Sequence, residues 1–118
     1  MKRPGLLAVL RFPDPDSPVA RRRPVLLVAR VPESKRAWLV CVLSNRKHLA
    51  VEGFDEVITS DAPDFEGSGL KAESVIRVGR LAVVPDERLE GSIGEISAER
   101  LDRIRRTLAS WIARAEEP

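Results

Sequence analysis

The residues best equipped for chemistry are basic, and they gather where apolar runs begin and end. Arg21, Arg22 and Arg23 lead directly into Pro24 and the run VLLVARV. Ser44, Asn45, Arg46, Lys47 and His48 complete or follow a second run, AWLVCVLS at 37–44. If the two runs pair as an antiparallel hairpin, the start of one lies beside the end of the other, and Arg23 and Ser44 share one rim. A guanidinium presents a planar fork of donors that matches phosphate oxygens. A hydroxyl beside it makes a competent anion site. Capped strand ends with solvated basic residues would give the same pattern, so the residues alone leave both readings open.

Other chemistries drop out. The chain has 118 residues with one histidine, His48, and one cysteine, Cys41. A two-histidine ribonuclease centre, a multi-histidine or cysteine metal cluster and an intrachain disulfide are therefore excluded. Cys41 stands inside an apolar run and reads as structural. GSIG at 91–94 is too short for a phosphate loop and no lysine follows it. DAPDFE at 61–66 lacks the ordered spacing of a calcium loop. No metal and no cofactor are expected. The net charge of +2 hides an asymmetry: residues 1–48 carry 11 Lys/Arg against 3 Asp/Glu, residues 49–118 carry 9 against 15. The basic residues are 16 Arg and 4 Lys. A GC-rich coding sequence would raise arginine everywhere; it does not explain the clustering in the first half, which suits a polyanionic partner.

One domain, 1–118, must position these groups. The sequence predicts strands at 5–12, 24–31, 37–44, 55–60 and 74–84, the last bent at Gly79. The prolines of PDPDSP at 13–18 make that segment a loop, 32–36 a turn, and 61–69 another loop. Ser97 is a plausible N-cap. After it Leu101, Ile104, Leu108, Trp111, Ile112 and Ala115 fall on one helical face, with Trp111 read as core. The fold class is α+β, mainly β: a small barrel or sheet of antiparallel twisted strands with a C-terminal helix packed on it. No apolar run approaches membrane-spanning length. The N-terminal one is too short and too soon broken for a signal peptide, so a cytoplasmic location is expected.

The order of segments resembles the MazF/PemK (Kid) toxins of type II toxin–antitoxin systems, within the MazF/CcdB superfamily. RRRPVLLV is similar to the family's Arg-Pro-Val-Leu-Val strand, and WLVCVLSN to the strand that ends in Thr-Ser or Thr-Ala. The stretch from GLKAESVIRVGRL through GSIGEIS to the helix is similar to the family's C-terminal half. The resemblance runs from about Pro4 to Trp111. It implies an SH3-like barrel, a homodimer and an antitoxin that blocks the active groove. It also implies cleavage of single-stranded RNA without metal, leaving a 2′,3′-cyclic phosphate and a 5′-hydroxyl. On this resemblance Arg23 takes the place of the catalytic arginine, Ser44 that of a threonine, and Arg77 that of a second arginine of the groove. Arg21, Arg22, Arg46, Lys47, His48 and Arg80 become candidates for contacts to the RNA.

The sequence also departs from the family. PDPDSPVARR replaces the Gly-x-Glu-Gln-x-Gly loop, and Gly79 stands where Kid-like members carry an aspartate. A general base would have to come from Asp14, Asp16 or His48. Two rivals stay open: a member of the superfamily that binds RNA or a protein target without cleavage, as CcdB toxins bind gyrase, and a plain SH3-like interaction module. Base stacking would fall to Phe54, Phe65, Trp38 or arginine planes, because aromatic residues make up only 4% of the chain.

Overall fold

Five of the six strands fall on the predicted runs. A computed structural model describes residues 2–12, 21–32 and 36–114. The elements are β1 (Leu6–Phe12), β2 (Arg21–Arg30), β3 (Ala37–Ser44), β4 (Glu56–Ile58), α1 (Phe65–Ser68), β5 (Ser74–Pro85), β6 (Leu89–Glu95) and α2 (Ala98–Arg114). They form one sheet in the order β4-β5-β3-β2-β1-β6, antiparallel at every junction. The expected hairpin is present, with Val25 opposite Val42 and Arg30 opposite Trp38. The predicted loop at 13–18, the base candidates Asp14 and Asp16, and Ala115 lie outside the described residues.

Both faces of the central strands are covered, as their near-continuous apolar character requires. On one face Leu26, Val28, Cys41, Leu43, Ile76 and Val78 form a core with Ile104 and Leu108 of α2. On the other, Val25, Leu27, Val40 and Val84 surround the fully buried Trp38. Ser97 caps α2, its Oγ accepting from the Arg100 amide at 3.1 Å. Arg100 is itself buried and ties the helix down. Its Nε and Nη2 donate to Asp64 at 2.8 and 3.0 Å, and its Nη1 donates to Glu56 at 2.9 Å and to the Val57 carbonyl at 3.3 Å.

The sheet is mainly β with a C-terminal helix as expected, but strand pairing does not close it into a barrel. Instead the turn after α1 backs onto β6, where glycines permit contact. A Cβ on Gly94 would lie 2.3 Å from the Gly67 carbonyl oxygen. One on Gly69, whose φ is +73°, would lie 1.9 Å from that of Ile93. Strand β6 occupies a stretch to which the sequence assigns no element, and helix α1 lies in one predicted as loop. Trp111 is 43% exposed rather than core, edge-on to Phe54 with ring centroids 5.5 Å apart, and Ile112 is exposed beside it.

Candidate functional site: a basic groove at the strand ends

The alternation of β2 and β3 builds the site. Directly opposed residues share a face, so Val25 and Val42 belong to the face that buries Trp38. Extending that register by two residues brings Arg23 opposite Ser44. Val42 is also opposite Arg77 of β5. Where the apolar face ends, it is therefore continued by Arg23, Ser44 and Arg77. Pro24 lacks an N–H, and pairing of β2 with β3 begins at Val25. Arg23 thus stands just past the ladder, at the mouth of a buried strand.

These three residues line one groove of about 730 Å³. Six cations face it: Arg22, Arg23, Arg46, Lys71, Arg77 and Arg80. Among the described residues no carboxylate lines it. The apolar part of the lining is Pro24, Val42, Leu43, Leu49 and Leu70. Arg23 is half-buried, and among the described residues Arg23, Arg46 and Arg80 have no carboxylate partner. Ser44 Oγ accepts from the Arg46 amide at 3.1 Å, a local turn that fixes the hydroxyl oxygen and leaves its proton to donate. A site of this make-up can hold an anion with several oxygens.

Arg77 and Arg80 reach the same groove because β5 is bulged. Regular alternation sends residues three apart to opposite faces. Cys41 is opposite Leu81 while the next residue, Val42, is opposite Arg77. Val78, Gly79 and Arg80 therefore stand between two consecutive pairs. This odd insertion puts Arg80 on the Arg77 side, the re-aiming that bulges perform. The bend expected at Gly79 is this bulge.

The remaining candidates divide. Arg22 lines the groove with its Nε 3.1 Å from Glu90, which also takes Arg11. The Arg21 backbone is in β2, and its side chain lies outside the described part of the chain. Lys47 and His48 occupy an exposed 3-10 turn, Lys47–Leu49, and neither lines the groove. Lys47 Nζ lies 2.5 Å from Glu73 Oε1. The Lys47 hydrogen bond, with others from Ser60, pulls the Glu73 carboxyl down to about 2. Trp38, Phe54 and Phe65 do not line the groove either, so arginine planes and leucines are what it offers to bases. Cys41 is fully buried and its thiol is pushed up to about 12 by that burial and by the charge of Asp55, which removes it as a nucleophile. Sequence reasoning missed Asp55, whose carboxylate meets Arg77 Nε at 3.2 Å behind the groove. Among the described residues no group of three or more His, Cys, Asp or Glu side chains is placed to hold a metal ion. No helix among them is long and apolar enough to cross a membrane.

An open antiparallel sheet, a helix across one face and a basic groove at the strand ends define the class of protein. A sequence profile of the PemK-like, MazF-like toxins of type II toxin–antitoxin systems matches residues 3–112. The chain belongs to that family. Similar solved structures include the MazE–MazF complex of Deinococcus radiodurans in its Form-II crystals, at TM-score 0.70 and 19% identity, with 97% of each chain covered. Mycobacterium tuberculosis toxin MazF-mt6 superposes at TM-score 0.63 with 18% identity over 94% of this chain and 97% of that one. A mycobacterial endoribonuclease in complex with its cognate antitoxin gives TM-score 0.63 and 13% identity over 98% of this chain and 100% of that one. Comparison with curated protein sequences gives no match.

Proposed function

We propose that the protein is the toxin of a toxin–antitoxin pair and an endoribonuclease that cleaves single-stranded RNA in the groove. One observation carries this reading: Arg23, Ser44 and Arg77 converge with four further cations on a groove that no described carboxylate lines. In the reaction the 2′-hydroxyl of a ribose gives its proton to solvent base and its oxygen bonds to its own 3′-phosphorus. The bond from that phosphorus to the next residue's 5′-oxygen breaks, and the departing oxygen takes up a proton. The products are a 2′,3′-cyclic phosphate and a 5′-hydroxyl. Arg23 stabilises the charge that grows on the non-bridging oxygens, Ser44 donates to one of them, and Arg77 holds the opposite wall. Arg22, Arg46, Lys71 and Arg80 attract and track the RNA backbone. The antitoxin masks the groove by occupying it, and the toxin acts as a cytoplasmic homodimer with no metal or cofactor.

The test is incubation of the protein with a long single-stranded RNA in EDTA, with fragment ends mapped. Cleavage at a few short sites, leaving 5′-hydroxyl ends, is the expected result. Arg23→Lys keeps the charge and loses the fork; by analogy with loss of one oxyanion donor, it should lower kcat by about 10²-fold. Wild-type kcat in that variant removes the fork from the mechanism. Intact RNA that still binds with steep salt dependence would make the protein a non-cleaving RNA binder, the reading that the missing carboxylate favours.

A further inference from the structure

We infer that Asp55 is a positioning residue: it sets the guanidinium of Arg77 and the bulge that carries Arg80, and so aligns one wall of the groove. The inference rests on the proposed RNA cleavage and adds a residue to it. Asp55 lies just before β4 and its side chain is only 2% exposed. Its Oδ2 accepts from the Val51 amide at 3.0 Å and faces Arg77 Nε at 3.2 Å. Its Oδ1 accepts from the Val78 amide at 2.9 Å. One carboxylate thus joins three segments.

Val78 is the first residue of the bulge, and both its backbone groups are met from outside the regular ladder. The N–H goes to Asp55, and the carbonyl faces the Cys41 thiol at 3.8 Å. The same short loop supports the bulge a second time, since a Cβ on Gly79 would come within 3.3 Å of the Phe54 ring. Phe54 in turn is braced by Trp111 of α2. A guanidinium held through Nε keeps its two terminal nitrogens for a ligand. With its side chain 19% exposed, Arg77 is gripped from behind and open toward the groove. Asp55 does not line that groove, so it acts through Arg77.

A double-mutant cycle of Asp55→Asn and Arg77→Ala, run at a temperature where circular dichroism shows all forms folded, tests this. Asp55→Asn keeps the shape and loses the charge that orients Arg77. It should lower kcat about tenfold while RNA affinity changes by less than about threefold. Added to Arg77→Ala, it should lower the rate by clearly less than about tenfold, because one of the two groups it positions is already gone. Full additivity, or unchanged kcat in Asp55→Asn, overturns the inference. Arg77→Lys tests the same point without disturbing the buried carboxylate. It keeps the charge but has no Nε fork, and a kcat near wild type would also overturn the inference. If the wild type binds RNA without cutting it, the proposed function fails on its own, and the cycle is read on RNA affinity. A loss of affinity on Asp55→Asn that is smaller when Arg77 is absent supports the positioning role, and independent losses refute it.

Discussion

Replacing Arg100 with methionine should cost more stability than any other single change on the helix surface, and the cost should fade in acid. The side chain is 9% exposed and makes four hydrogen bonds, two to Asp64, one to Glu56 and one to the Val57 carbonyl. Asp64 is buried at 7% side-chain exposure. Without Arg100 it keeps the Ser97 amide at 3.0 Å and no cation. Breaking one side of a buried pair costs about 3–5 kcal/mol. The surviving amide and the longer reach of Glu56 toward Arg103 at 3.0 Å place this case at the lower end, about 3 kcal/mol. At roughly 4 °C per kcal/mol for a chain of this size, the midpoint of thermal unfolding should fall by about 12 °C.

The pH dependence separates this account from simple loss of packing. Burial by itself raises the Asp64 carboxyl, but the hydrogen bonds from Arg100 and Ser97 and the Arg100 charge outweigh it and hold the group below its usual value. In the wild type the resulting stability is present above the unfolded carboxylate value, about 3.9. It is lost as pH falls through the lowered native value. In Arg100→Met burial dominates and the native value rises, so the penalty is present at neutral pH and is relieved by protonation. The difference between the two proteins, measured by urea unfolding at several pH values, should therefore shrink between pH 6 and about 4. A difference under 1 kcal/mol at pH 7, or one that stays constant into acid, refutes the reasoning. The substitution leaves the groove untouched, so RNA cleavage well below the lowered midpoint should persist.

Other outcomes follow from particular contacts. Gly94→Ala forces a methyl to within 2.4 Å of the Ser68 carbonyl group. Backbone cannot yield there as a side-chain end would, so a loss above about 3 kcal/mol is expected in denaturant unfolding. Glu73→Gln removes the carboxylate that holds Lys47 at 2.5 Å. It should raise RNA affinity by about two- to fivefold at low salt, in a filter-binding or anisotropy titration, with the gain vanishing at high salt.

The central hairpin was legible because continuous apolar runs bounded by proline and polar residues leave little choice of register, and that register alone puts Arg23 beside Ser44. Strand β6 was not legible. Gly91, Ser92 and Gly94 give no strand pattern, and Gly94 is glycine because the α1 turn presses on it, a reason that exists only in three dimensions. Arg77 and Arg80 were expected in the site by resemblance, whereas alternation alone would have separated them. Only the three-residue offset against β3 explains why both face the groove. Asp55 gave no sequence signal, because its partners are backbone amides at positions 51 and 78 and an arginine at 77. Trp111 was misplaced since helical periodicity identifies an apolar face without saying how far the sheet extends beneath it.

In the proposed cleavage, the groove's composition also constrains how the 2′-hydroxyl loses its proton. A side-chain base must reach the reacting group, and among the described residues no carboxylate or histidine lines the groove. Asp55 is committed to two amides and Arg77, and His48 is exposed on its turn. Arginine stays protonated throughout the accessible range, so it gives no falling limb on the alkaline side. The chemistry is then electrostatic stabilisation of a reaction whose proton leaves to solvent base. The logarithm of kcat should rise with pH at a slope near one from about pH 6 to 9, without a bell. A rise that levels off, with the inflection lost in His48→Gln, would place the histidine in the mechanism. A rate flat from pH 6 to 9 would instead require a carboxylate base, which leaves Asp14 and Asp16 as the residues to mutate.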